Sequence, residues 1–190
     1  MAVETLSVGE MLPSKFEPLQ KRRFILSIEG IDAFIIKTGA RPKMTTTEIK
    51  IPWINSTRYI AGKSEWQTMA VTLHDPIAPS GAQQVMEWLR LTFESVSGRG
   101  GYADFYKRDL QLKMLDPVGT VVQLWDVKGA WIQDADFGSV EYTSDQVPAE
   151  ITLTLRFDYS VLIYIPFDST TFILNRYKVK EKYDTLSICL

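Results

Sequence analysis

The stretch ITLTLRFDY at 151–159 alternates without a break. Ile151, Leu153, Leu155, Phe157 and Tyr159 fall on one side of an extended chain, and Thr152, Thr154, Arg156 and Asp158 on the other. Period two with β-branched residues specifies a strand whose one face meets a core and whose other face is wet or meets a partner. A second alternation spans EWQTMAVTLHD at 65–75, with Gln67, Met69, Val71 and Leu73 opposed to Trp66, Thr68, Ala70, Thr72 and His74. Two strands of this kind commit the chain to a sheet with one buried face.

The rest of the chain supplies that sheet. RRFILSIEG (22–30) and DAFIIKTG (32–39) are strand-like, with Glu29-Gly30-Ile31-Asp32 as a tight reversal between them. Residues 40–62 carry Pro42, the strand-like TTTEIKI (45–51) and Pro52, and predict a long flap or extended hairpin. FYKRDLQLKML (105–115) and TVVQLWDVKGAWI (120–132) are further strands, joined through the turn residues Asp116-Pro117-Val118-Gly119. One helix is predicted over 80–97. Ser80 caps it with Gln83 three residues on, Ala82, Val85, Met86, Leu89, Phe93 and Val96 form its apolar stripe, and Gly98, Gly100 and Gly101 end it. About seven strands and one helix predict a mainly β sandwich or barrel, the helix packed over an edge or open end. The expected organisation is an N-terminal arm at 1–21, a β domain at 22–159 and a C-terminal extension at 160–190.

Composition narrows the functions open to such a domain. The 190 residues are 45% hydrophobic and 12% aromatic, enough for a core. A formal charge of −2 argues against a strongly basic nucleic-acid footprint. The single cysteine, Cys189, excludes an internal disulfide and a multi-cysteine metal site, and the single histidine, His74, disfavours a histidine-based metal centre or a Ser-His-Asp triad. The N-terminal stretch lacks a signal-peptide pattern and no apolar run approaches a membrane span, so a soluble, unsecreted chain is expected.

Each chemical candidate has a plainer reading. Gly62-Lys63-Ser64 ends like a phosphate-binding loop, but the glycine required five residues earlier is Thr57, and a strand follows instead of a helix. These residues are expected to form the turn where the flap returns to the sheet at Glu65-Trp66. His74-Asp75 reads as a strand end before Pro76. Asp134, Asp136, Glu141 and Asp145 lack EF-hand spacing and read as a solvated loop. Gly98-Arg99-Gly100-Gly101 reads as the helix exit, and Lys21-Arg22-Arg23 as a solvated edge. Trp53, Trp66, Trp88, Trp125 and Trp131 are expected in core or interface packing, with a small-ligand-binding β-barrel as the alternative. No catalytic residue, metal ligand or cofactor is expected. Long Thr-rich strands at 45–51 and 150–157 do carry one functional implication: open edges invite pairing with another copy, and pairing around a rotation axis closes a ring.

Several segments, in order, resemble the tail tube proteins of contractile-tailed bacteriophages, which are similar in fold to type VI secretion tube proteins. They are IPWINSTRYIAG (51–62), EWQTMAVTLHD (65–75), a helix with Trp88, and VKGAWIQDADFGSVEYTSDQVPAEITLTLRFDY (127–159). The resemblance covers about 22–159 and implies a virion structural subunit, assembled in the host cytoplasm. Six copies would form a ring by extending sheets between subunits, and stacked rings would make a hollow conduit for DNA ejection. Implied partners are further copies of itself, the sheath, the baseplate and tail terminator proteins, a tape-measure protein in the lumen, and DNA in transit only. Met44, Glu48, Trp53, Asn55 and Arg58 are the expected ring-to-ring contacts, and Thr152, Thr154 and Arg156 the face towards a neighbour or the lumen. Alternative roles are a baseplate-proximal tube initiator or the tube of a secretion or injection machine. Residues 160–190 extend beyond the usual end of the family, near Asp158-Tyr159.

Overall fold

A computed structural model describes residues 17–142 and 148–164. Nine strands and one long helix follow one another in it. The strands are β1 (Phe24–Ile28), β2 (Ile36–Gly39), β3 (Met44–Pro52), β4 (Thr57–Trp66), β5 (Met69–His74), β6 (Arg108–Leu115), β7 (Val121–Asp136), β8 (Glu150–Arg156) and β9 (Tyr159–Tyr164). The helix α1 (Gly81–Thr92) and a single helical turn, α2 (Ala103–Tyr106), lie between β5 and β6. No helix among the described residues is long and apolar enough to cross a membrane.

Seven strands share one sheet system in the order β1-β6-β7-β8-β5-β2, with β9 also on β7, and β3 and β4 pair only with each other. The sixteen-residue β7 organises it. Its first part pairs with β6 and β9, and its last part with β8. The bend between the parts is at Lys128-Gly129, where the β6 register slips from Leu110↔Val127 to Arg108↔Ala130. Gly129 sits at φ +65°, and a Cβ there would come within 2.2 Å of Asp158 Oδ2. Only glycine meets both demands. Asp158 closes the same corner: its N–H donates to Lys128 O, and Lys107 Nζ donates to its carboxylate at 2.7 Å.

The alternating strands behave as their pattern dictates. Met69, Val71 and Leu73 of β5 and Ile151, Leu153 and Leu155 of β8 are buried, joined by Leu110, Leu112, Val127 and Ile132. Helix α1 closes this core with Val85 and Trp88. The indole N–H of Trp88 donates to Tyr106 O at 2.7 Å, and the Arg108 guanidinium stacks 4.8 Å from its ring centroid. Arg108 also donates to Glu29 O, pinning the turn that precedes β2. Burial lowers the pKa of this guanidinium, with Glu29 and Glu87 opposing that shift. At the β6–β7 turn, Asp116 accepts from the Val118 and Thr120 N–H groups, as the turn residues predicted.

Five sequence expectations need correction. β1 and β2 are not a hairpin: β1 pairs with β6 and β2 with β5, because Ala33–Ile35 interposes a 3-10 turn. Helix α1 stops at Thr92, not at residue 97. Phe93 is extended, and it and Val96 are exposed, so the apolar stripe ends at Leu89. The 105–115 strand begins only at Arg108, behind α2. The alternation at 151–159 breaks at Phe157-Asp158, which turns Tyr159 outward as the first residue of β9. Finally, Gly62-Lys63-Ser64 is no turn. All three lie inside β4, which runs to Trp66, and β5 starts afresh at Met69.

Candidate assembly surfaces

The β3–β4 ribbon leaves the body from its root at Met44↔Trp66 and runs to a tight tip, where Trp53 N–H donates to Ser56 O at 2.7 Å. A register slip between Thr46 and Glu48 sets two residues of β4, Gly62 and Lys63, opposite the single Thr47, whose hydroxyl donates to Lys63 O. A Cβ on Gly62 would lie 2.7 Å from Thr47 Oγ1 and 3.3 Å from Ile49 Cγ1, so the bulge requires the glycine. Beyond the bulge the two faces differ in chemistry. Ile49↔Ile60 and Ile51↔Arg58 share one face, while Glu48↔Ala61, Lys50↔Tyr59 and Pro52↔Thr57 share the other. On the second face Lys50 pairs with Glu48 at 3.0 Å and lies 5.8 Å from the Tyr59 ring centroid. On the first, Ile49 and Ile60 are 53% and 48% exposed, and among the described residues β3 and β4 have no other strand partner.

The five residues expected for ring-to-ring contact are strung along this ribbon and not gathered into one patch. Met44 is at the root, Trp53 and Asn55 at the tip, Arg58 on the apolar face and Glu48 on the charged face. Sequence reasoning missed the isoleucines. The signal was present as Ile49 and Ile51 at period two, with Ile60 returning across the Trp53–Ser56 turn.

Open sheet edges form the second surface. Among the described residues β1, β2 and β9 each have one strand partner. On β9, Tyr159, Val161, Leu162 and Ile163 are all exposed, while Ser160 is buried and donates to Asp126 O. Beneath β9, Lys128 bridges Asp109 at 2.8 Å and Asp126 at 3.1 Å. The hydrogen bond from Lys128 is the main cause holding the Asp109 carboxyl below its ordinary pKa, and the same bond, with that to Asp126, raises Lys128.

The third surface is the outer face of β5, β8 and the end of β7. Thr152 stands opposite Thr72 and Asp136, and Thr154 opposite Ala70 and Asp134. Arg156 faces Trp131. Thr152 is exposed, and Thr154 and Arg156 are half-buried. This face presents small hydroxyls and carboxylates, with no large apolar side chain among Ala70, Thr72, Thr152 and Thr154.

Chemical candidates do not converge. His74 closes β5 opposite Glu150, which is engaged by Lys37. Among the described residues no group of three His, Cys, Asp or Glu is arranged to hold a metal, and Asp145 and Cys189 lie outside them. Trp88 is in the core, Trp66 packs against Phe157 at 5.8 Å, Trp131 meets Tyr106 edge-on, and Trp53 is exposed. A cavity of about 450 Å³ is lined by Leu19, Lys21, Phe24, Gly39, Arg41, Leu112 and Met114, with no tryptophan among them.

No protein-family model and no curated protein matches the sequence. Solved structures do match the fold. The chain is similar to the sheath/tube terminator of an extracellular contractile injection system, PVC (TM-score 0.64, 16% identity, 79% of this chain and 99% of that one). It is also similar to the tube terminating cap of the anti-feeding prophage (TM-score 0.65, 15% identity, 84% and 100%). A third likeness is to a chain of the PVC sheath-tube complex (TM-score 0.58, 16% identity, 85% and 100%). The fold of this chain is therefore that of the tube and tube-terminator proteins of contractile injection systems.

Proposed function

We propose that the chain is a structural subunit that associates with copies of itself into rings, and that the rings stack as the tube of a phage-tail-like particle. The carrying observation is the β3–β4 ribbon, which exposes Ile49, Ile51 and Ile60 on one face and, among the described residues, joins no other strand. A two-stranded ribbon in water is marginal on its own, so a neighbouring subunit supplies the surface that covers it. Met44, Trp53, Asn55 and Arg58 are then contacts along the ribbon's reach, with Glu48 on its solvated side. The apolar edge of β9 joins the sheet of a second neighbour, and the small polar face with Thr152 and Thr154 looks into the lumen. The Asp134 carboxylate there repels a phosphate backbone, suiting a conduit through which DNA slides.

In this reading the ring has six copies, the outside meets a sheath, the ends meet baseplate and terminator proteins, and a tape-measure protein occupies the lumen during assembly. The role is mechanical, in a virion or a related injection particle. A tube-end subunit is the second reading, favoured by the terminator and cap, whose TM-scores of 0.64 and 0.65 exceed the 0.58 of the sheath-tube chain. Negative-stain electron microscopy of the purified protein separates the readings. Long stacked tubes support a tube-body subunit, single or paired rings a tube-end subunit, and a monodisperse monomer of 21.7 kDa overturns both.

A further inference from the structure

The two ends of β7 carry surfaces of opposite chemistry. Near its start, Gln123 and Trp125 pair with Met114 and Leu112, which form the floor of the 450 Å³ cavity. Phe24 and Leu19 add apolar walls, and Lys21 and Arg41 stand at its rim. Neither cation has an ion-pair partner among the described residues, and Arg22, Arg23 and Lys43 add positive charge beside them. A void of this size lies in the range that accommodates a side-chain cluster or a small ligand. At the other end of β7, the segment from Asp136 to Tyr142 protrudes. Asp136 is exposed and accepts from Gly138 N–H, Phe137 is 40% exposed, and Val140 and Tyr142 are essentially uncovered. Glu141 adds a second carboxylate to the segment. Thirteen residues separate Gln123 from Asp136, roughly 40 Å along the strand's contour.

An apolar hole ringed by cations and an aromatic-aliphatic knob flanked by carboxylates are complementary. They lie at opposite ends of one strand, so one copy cannot satisfy itself. The geometry points to a head-to-tail contact in which the Asp136–Tyr142 segment of one copy seats in the Lys21/Arg41 cavity of the next. Val140 and Tyr142 enter against Phe24, Leu112 and Met114, while Lys21 and Arg41 face Asp136. A contact between two different patches is heterologous and propagates instead of closing on itself, which suits stacking of one ring on another. The inference rests on the self-assembly proposed above but names a contact distinct from the β9 edge and the ribbon.

Charge exchange tests it, read by sedimentation velocity and electron microscopy, with circular dichroism and thermal melting as checks of folding. Lys21→Glu with Arg41→Glu is expected to weaken end-to-end association about tenfold while rings persist, and Asp136→Lys to act in the same direction. The triple variant restores opposite signs across the contact and is expected to recover stacking. Tyr142→Ala, which leaves every charge in place, weakens stacking without altering its salt dependence. Unchanged stacking in the folded double variant, or no recovery in the triple, overturns the contact. Rings that never stack in the unmutated protein overturn it too, leaving ring formation standing. End-to-end dimers that respond to the exchanges without any ring support this contact and sink the ring.

Discussion

Two antiparallel pairs in this molecule are built from similar residues and have different fates. β5–β8 and β3–β4 are both Thr-rich and both antiparallel. In β5–β8 the apolar residues Met69, Val71, Leu73, Ile151, Leu153 and Leu155 turn inward and are buried, whereas Ile49, Ile51 and Ile60 of the ribbon form a stripe exposed to solvent. Alternation therefore specifies that a strand has an apolar face but not what covers it. In β5–β8 the cover is the chain's own core and α1. For the ribbon the described residues supply none, and the proposed cover is a neighbouring copy.

That contrast can be broken by substitution, most severely in the body. Leu153→Ala removes a fully buried side chain at the centre of β8 and should cost about 2–5 kcal/mol of stability, measured by denaturant unfolding. Equal loss from an equivalent change in the ribbon would erase the distinction. Gly129→Ala forces a side chain into a left-handed position against Asp158 and should cost about 1–3 kcal/mol, with loss of the β7 corner visible in the amide spectrum. Ile60→Ser should change monomer stability by less than about 1 kcal/mol, since only its cross-strand contact with Ile49 is lost. The same substitution should abolish higher-order assembly in sedimentation, and a monomer that unfolds instead would place the ribbon in the core.

The smallest effect concerns acid. Asp109 is held below the ordinary carboxylate pKa by Lys128, so the stability this contributes is present above the unfolded value, about 3.9, and is lost as pH falls through the lower folded value. Asp109→Asn should flatten that part of the acid-unfolding profile slightly, by a small loss of stability near neutral pH with little change in strong acid. A steeper profile in the variant would contradict the assignment.

Legibility in the sequence followed the range of the interaction. The faces of β8, the Asp116–Gly119 turn and the start of α1 at Ser80 were readable because neighbours in sequence determine them. Partnering of β1 with β6 was not, since Phe24 meets Met114 across ninety residues. Gly62 misled because glycine marks both turns and bulges, and only the crossing of Thr47 and Ile49 over it decides between them. Phe93 and Val96 kept helical spacing beyond the last turn that packs on the core. Of the assembly surfaces, the ribbon's extent was largely visible, but Ile49, Ile51 and Ile60 were hidden by attention to the polar and aromatic residues around them.

Amide hydrogen exchange, compared between dilute monomer and the assembled protein, decides whether the ribbon and β9 are assembly surfaces. Amides of Met44–Trp66 and Tyr159–Tyr164 are predicted to exchange readily in the monomer and to become protected on assembly, while those of β5 and β8 stay protected throughout. Assembly that leaves the ribbon and β9 exchanging as in the monomer would contradict the account.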